Sequence, residues 1–265
     1  MLDFGFYNMD CMEGMKEFPD GFFDLAIVDP PYGINVGSAA MGAGGGVAPH
    51  RNRSAANLRN KQRKEIQGGG RGLNRRCETI RQEESKWGGL CISPKIYKAF
   101  DDSHTPDAAY FKELKRVAKK MIIWGGNYFL DYLGATECLI IWDKRRRGLN
   151  FADCEIAWTN IKQPCRIFEW KWNGMLQEDM KNKEYRIHPT QKPVALYKWL
   201  LDKYAKPGDK ILDTHVGSAS SLVACRELGF KYVGFEIDAD YYAMAKKRLE
   251  AAEAQANIFD YLNKE

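Results

Sequence analysis

The 265-residue sequence predicts an α/β domain, a mostly parallel twisted sheet with helices on both faces. Three observations carry this. Short, nearly continuous apolar runs recur along the chain, and helical patterns fall between several of them. A glycine-bearing turn near the C-terminus joins a strand, a helix and a further strand that ends in an acid. The strand-like runs, in order, are FGFY (4–7), DLAIV (24–28), MIIW (121–124), CLIIW (138–142), CEIAW (154–158), KILD (210–213) and YVGFE (232–236). Helices are expected over 106–120, 193–204, 218–228 and 238–252. The whole, 1–265, reads as a single domain with two segments outside the rhythm. Residues 33–93 form a Gly-rich insertion containing GAGGG and QGGGRG, and a loop of that length inside a domain is usually functional or disordered. Residues 161–186 mix Phe168, Trp170 and Trp172 with charges and show no clear period.

Composition excludes several classes. A chain that is 45% hydrophobic and 12% aromatic can bury a substantial core. It has no run of about 18 apolar residues, so no membrane span is expected. Its start, MLDFGFYNMDCMEGM, lacks the basic-then-apolar order of a signal peptide. The seven cysteines form no CxxC pair and read as reduced thiols, neither a disulfide frame nor a metal site. A cytoplasmic protein without a metal is the expectation. The net charge of +5 is uneven: residues 51–86 hold 11 Lys and Arg against 4 Asp and Glu, a local +7 that leaves −2 elsewhere. Such a segment is either a solvated loop or a surface for phosphates.

The run DLAIV leads into VDPPYG at 28–33. Neither proline offers an N–H, and each X-Pro step favours extended or turn backbone. Asp29, Pro30, Pro31 and Tyr32 are therefore expected to make a stiff corner that holds a carboxylate, carbonyls and an aromatic face in fixed relation. An ordinary Pro-terminated strand with a turn fits these residues equally well.

At the other end, KILDTHVGSASSLVACRELGFKYVGFEID (210–238) has the strand, glycine loop, helix, strand and acid layout that binds adenosine-containing cofactors in doubly wound folds. Gly217 lets backbone approach a ligand, and Glu236, 19 residues later, can accept from both ribose hydroxyls. A tight turn between buried elements is the plainer alternative. Cofactor loops usually open such folds, yet only 46 residues follow Ala219. The N-terminal portion must complete the sheet, so the motif order is circularly permuted.

Three motifs in this order resemble the beta-class S-adenosylmethionine-dependent DNA amino-methyltransferases: DPPY at 29–32, HPTQKP at 188–193 and DTHVGSA at 213–219. Thr214, His215 and Ala219 stand where that family commonly has Pro, Phe and Gly. NMDCMEGM (8–15), IIWGGNYF (122–129) and IIWDKRRRGLNFADCEIAWT (140–159) extend the likeness to nearly all the chain except about 33–93. The resemblance implies a Rossmann-like methyltransferase fold, with the catalytic half before the cofactor half, and methylation of adenine N6 or cytosine N4 in double-stranded DNA. Asp at the head of DPPY is more often an adenine-N6 feature.

On that resemblance Asp29 and the Pro30 carbonyl accept the target amino group's N–H bonds, Pro31 stiffens the corner and Tyr32 stacks on the extruded base. Asp10 is expected at the cofactor's adenine, Glu236 at its ribose, and Asp213, Gly217 and Ser218 at its methionine part, with the methyl of Ala219 crowding that tail. Thr190 and Lys192 are expected at its carboxylate, although Lys192-Pro193 also reads as a plain helix start. Arg51, Arg53, Arg59, Lys61, Arg63 and Lys64, with Arg145, Arg146 and Arg147, are candidate phosphate contacts. Residues 161–186 are a candidate target-recognition segment, and a homodimer is an open possibility. Cytosine-N4 or RNA methylation by the same corner remains open, as does a DNA-binding protein that kept the fold without the activity.

Overall fold

The computed structural model describes residues 1–34, 97–98, 102–148, 152–173 and 176–262, with side chains to 254. All of these lie in one compact unit formed by Met1–Ser38 and Tyr97–Glu265. The basic segment 51–86, with Arg51, Arg53, Arg59, Lys61, Arg63 and Lys64, lies outside the described residues.

The sheet is eight-stranded. Its strands are β1 (Gly5–Asn8), β2 (Phe23–Val28), β3 (Ala118–Trp124), β4 (Cys138–Asp143), β5 (Cys154–Thr159), β6 (Arg166–Glu169), β9 (Lys210–Asp213) and β10 (Lys231–Glu236). Their order across the sheet is β1-β10-β9-β2-β3-β5-β4-β6. Every neighbouring pair is parallel except the two made by β5, which runs against β3 and β4. A two-strand pairing of β7 (Trp172–Asn173) with β8 (Leu176–Gln177) stands apart. The helices are α1 (Cys11–Lys16), α2 (Ala108–Val117), α3 (Leu130–Leu133), α4 (Val194–Tyr204), α5 (Ser220–Glu227) and α6 (Ala239–Leu262).

The continuous apolar strands are explained by cover on both faces. Alternate residues of β2 point to opposite sides. Leu25 and Ile27 join the cluster containing Leu196 and Leu200 of α4 and Ala224 of α5. Ala26 and Val28 join the cluster containing Met15 of α1 and Phe111 and Leu114 of α2. Among the described residues, no helix is long and apolar enough to cross a membrane.

The expected elements occur with shifted ends. The helix expected over 106–120 is α2, which stops at Val117 because Ala118 is already paired with Phe23 as the first residue of β3. Conversely, the last helix runs beyond 252 to Leu262. Segment 161–186 contributes β6, a parallel partner of β4 at the sheet edge. Its aromatics pack: Trp172 is buried with Nε1 donating to the Gln191 carbonyl, and Phe168 meets the rings of Trp170 and Trp199.

Helix α1 lies so close to the sheet that a Cβ on Gly14 would sit 2.3 Å from a ring carbon of the fully buried Phe235. Gly to Ala inside a helix ordinarily stabilises by about 1 kcal/mol. Here overpacking is expected to reverse the sign, and Gly14→Ala should lose about 1–3 kcal/mol. The urea midpoint measures this, and an unchanged or raised midpoint contradicts the packing described.

Candidate active site

Strands β1, β10, β9, β2 and β3 are mutually parallel, so their C-terminal ends share one edge of the sheet. Each end carries a residue singled out by the sequence or beside one. Asp10 follows β1, Glu236 ends β10, Asp213 ends β9, Asp29 follows β2 and Gly125 follows β3. Because β5 runs the other way, its start, with Glu155, comes to the same edge. From β9 the chain continues to β10 on one side, and from β2 to β3 on the other. That divergence is the switch point at which open α/β sheets form their crevice, and Asp213 and Asp29 flank it.

The DPPY corner is held from several directions. Asp29 accepts from the Tyr32 hydroxyl on one oxygen and from the Lys192 ammonium on the other. The backbone N–H groups of Tyr32 and Gly33 both donate to Oδ1 of Asp102, at 2.8 and 3.1 Å. The Tyr32 ring rests on Gly125, where a Cβ would come within 2.2 Å of it, and Tyr128 stacks on it at 5.0 Å between centroids. Gly125 also has φ +65°, so both space and backbone require glycine there.

Lys192 is 4% exposed, and its ammonium also lies 3.1 Å from Glu155. Glu155 in turn pairs with Lys144. Burial opposes the charge on Lys192, but Asp29 and Glu155 more than offset it and hold it above the ordinary lysine range. Burial also opposes the Glu155 carboxylate, yet Lys192 and Lys144 pull it down to about 2. Burial, with the charges of Asp29 and Glu155, pushes the Tyr32 phenol well above its usual range.

The cofactor-type loop is built around two carboxylates. Asp213 accepts from the Ser221 hydroxyl and from the backbone N–H of His215 at 3.0 Å. Burial lifts Asp213 to about 7, and the charges of Asp29 and Glu236 add to the rise. Glu236 accepts from the N–H of Gly217 at 2.8 Å and of Asp238 at 2.9 Å, and burial raises it as well. Gly217 and Ala219 have φ of +54° and +61°. Glycine adopts this left-handed backbone freely, whereas alanine does so at a cost. The Ala219 methyl is fully buried in a cluster with Val216, Leu222 and Val223. Ser218 is buried; its hydroxyl meets Ser220, and its carbonyl accepts from Arg248 at 2.7 Å. Arg248 also pairs with Glu184, which accepts from the N–H of Val194 at the start of α4.

The structure thus brings Asp29 and Tyr32 together with Lys192, and Asp213, Gly217 and Glu236 together with one another. Lys192, expected beside Thr190, gives its ammonium to Asp29 and Glu155. Thr190 contacts Nδ1 of His188 at 3.0 Å, and the His188 ring faces Gly217. Asp10 caps α1 by accepting from the N–H of Met12. Arg147 pairs with Asp143, and Arg145 lies near Glu169 and Glu178, so these guanidinium groups already have acidic neighbours. Arg146 sits next to them in the chain, and burial lowers its pKa. Sequence reasoning missed Glu155, Lys144, Asp102, Gly125, Tyr128 and Arg248. Gly125, Tyr128, Lys144 and Glu155 lie inside the family-like stretches IIWGGNYF and IIWDKRRRGLNFADCEIAWT, which flag the stretch but not the contact, whereas Asp102 and Arg248 lie in neither.

A family model described as DNA methylase, for N6 and N4 enzymes, matches residues 23–247. The type II methyltransferase M2.DpnII of Streptococcus pneumoniae is 25% identical over 249 residues, 92% of this chain and 88% of that protein. The DNA adenine methyltransferase YhdJ of Escherichia coli (strain K12) is 41% identical over 69 residues, 26% of this chain and 24% of the relative. A solved PvuII DNA methyltransferase, cytosine-N4-specific, shares the fold with a TM-score of 0.52 at 13% identity, covering 97% of this chain and 92% of that one.

Asp102 is 6% exposed and holds the Tyr32–Gly33 peptide by two hydrogen bonds. Asp102→Ala leaves both N–H groups without that acceptor and should cost about 1–3 kcal/mol. Asp102→Asn keeps an oxygen and should lose much less. Denaturant titration of both variants compares them, and equal losses refute the acceptor role.

Proposed function

We propose that this chain, which belongs to the DNA methylase family of N6 and N4 amino-methyltransferases, methylates the exocyclic N6 of adenine in double-stranded DNA. The observation that carries the reading is the order of acids along the sheet edge: Asp10, Glu236, Asp213 and Asp29, on four adjacent strands. Neighbouring strands lie about 4.8 Å apart, so the row spans roughly 14 Å, a length suited to an extended nucleoside with an amino-acid tail.

The donor set fits S-adenosylmethionine. Asp10 would hold the adenine amino group, Glu236 the ribose hydroxyls and Asp213 the ammonium. Each Glu236 oxygen already accepts one N–H and keeps a lone pair for a hydroxyl. Gly217 and Ser218 would line the methionine tail, and Thr190, beside His188 at this loop, would bind its carboxylate. When bound, S-adenosylmethionine supplies an electrophilic methyl group on a positively charged sulfur.

The chain's own work lies on the target side. An amino group conjugated to a base is a poor nucleophile because its lone pair is delocalised. Asp29 and the Pro30 carbonyl accept its N–H bonds and so favour tetrahedral nitrogen with a localised pair. Asp29 would also take the proton that the nitrogen sheds once methylated. Tyr32 would stack on the extruded base once Tyr128, which lies on its ring, gives up that place. Asp rather than Ser at position 29 supports adenine over cytosine. Phosphate neutralisation falls to the basic segment 51–86 and to Arg145, Arg146 and Arg147.

Digestion of treated DNA to nucleosides tests the target. N6-methyladenine is expected, whereas N4-methylcytosine replaces the adenine reading. Asp29→Ala should lower the transfer rate on the order of a hundredfold or more.

Cofactor affinity should depend on pH through Asp213. Its carboxyl, raised to about 7 in the free protein, must be ionised to pair with an ammonium. Affinity is therefore low below that pH and rises as pH passes it. Between pH 6 and 7, below the titration of an ordinary α-amino group, the dissociation constant should fall about fivefold. Asp213→Asn should bind weakly and with a flat profile. Calorimetric titration distinguishes the two.

A further inference from the structure

Lys192, Glu155 and Lys144 have no part in the chemistry proposed above, yet Lys192 is 4% exposed and the other two are partly buried beside it. We propose that Lys192 is a positioning residue for Asp29, and that Glu155, anchored by Lys144, sets where Lys192 stands. The inference rests on the reading of Asp29 as the acceptor of the target amino group.

Three elements meet at one ammonium: the corner after β2, the start of β5 and the segment before α4. Lysine is almost never this buried unless paired, and here it is paired twice. The charges alternate, Lys144, Glu155, Lys192, Asp29, so each buried ion has opposite neighbours and the chain sums to zero. The Lys192 ammonium also lies 5.4 Å from the centroid of the Trp124 ring and 5.9 Å from that of Tyr32.

The consequence falls on the orientation of the Asp29 carboxylate. One oxygen is tied to Tyr32 and the other to Lys192, so the group cannot rotate about its last bond. Its remaining lone pairs then point in fixed directions before any substrate arrives, the preorganisation such sites depend on. Glu155 matters because an ammonium held by Asp29 alone would follow that carboxylate's motion. Sharing it with a second, fixed carboxylate turns a mobile counter-ion into a post.

The test is a double-mutant cycle read by single-turnover methyl transfer at saturating cofactor, alongside cofactor titration and thermal midpoint. Glu155→Gln is expected to lower the transfer rate about tenfold to a hundredfold, the range typical of partners that orient a functional group. Its cofactor dissociation constant should stay within about twofold of wild type. Lys192→Met should lose at least as much, and adding Glu155→Gln to it should change little, because Glu155 acts through Lys192. Rate losses that multiply in the double variant overturn the proposal. So does a fall in rate matched by an equal fall in cofactor affinity. Should the neutral variants fail to fold, Lys192→Arg keeps the charge and changes its geometry. A folded Lys192→Arg at wild-type rate overturns the proposal, and a tenfold loss supports it. Asp29→Ala run in parallel separates this inference from its parent. If Asp29→Ala is active, the acceptor reading fails. If it is inactive while Glu155→Gln transfers normally, only the positioning role fails.

Discussion

The bond between the Lys192 ammonium and the Asp29 carboxylate joins parts of the chain 163 residues apart, and the candidate site is arranged around it. Removing one partner of a buried pair typically costs about 3–5 kcal/mol, because the other charge is left uncompensated. Such a bond fastens the segment HPTQKP to the DPPY corner and so fixes the side of the crevice opposite the glycine loop. Arg248 performs a similar service on the other side. It reaches from α6 to the Ser218 carbonyl and to Glu184, which accepts from the N–H opening α4. The same stretch of chain, 184–194, is thus tied to both halves of the site.

The site also concentrates negative charge. Parallel strands bring four carboxylates to one edge, and among the described residues no cation is paired with Asp213 or Glu236. Burial raises both of these, with the charges of Asp29 and Glu236 adding to the rise at Asp213 and that of Asp238 at Glu236, whereas the Asp29 end is balanced by Lys192. The asymmetry divides the crevice chemically. One half carries two raised carboxylates without a paired cation among the described residues, and the other is neutralised by Lys192. A cofactor with an ammonium and a sulfonium matches the first half, and an uncharged amino group matches the second.

Much of this arrangement was legible in the sequence. Strands such as DLAIV and KILD declare themselves because both of their faces are buried, and DPPY and HVGSA stand at strand ends where proline and glycine dictate backbone shape. The start of β3 was not legible: Ala118, Lys119 and Lys120 continue a helical pattern, but pairing with β2 claims them. Asp102 and Glu155 were hidden for another reason. Their partners lie 70 residues away at Tyr32 and in the segment before α4 at Lys192, and no local spacing encodes such contacts. Gly125 and Gly126 of IIWGGNYF gain meaning only once the ring of Tyr32 is seen against the first and the backbone and Cβ of Trp158 against the second.

Of the departures from the family pattern at Thr214, His215 and Ala219, the last two are the support for a relative without activity, and the surroundings of all three bear on that alternative. Thr214 is buried and bonded to the Tyr110 hydroxyl at 2.7 Å and to Nδ1 of His215 at 2.9 Å. Burial holds His215 at about 4, so it is a neutral ring at physiological pH and adds no charge beside the acids. The polar pair therefore replaces apolar packing with a satisfied hydrogen-bond chain. Ala219 tolerates a left-handed backbone because its methyl fills an apolar cluster, which returns part of the conformational cost. All three substitutions are absorbed into the walls of the loop. Asp213, Gly217 and Glu236, the groups proposed for the cofactor, are untouched by them and stay joined through the Gly217 N–H and the loop backbone.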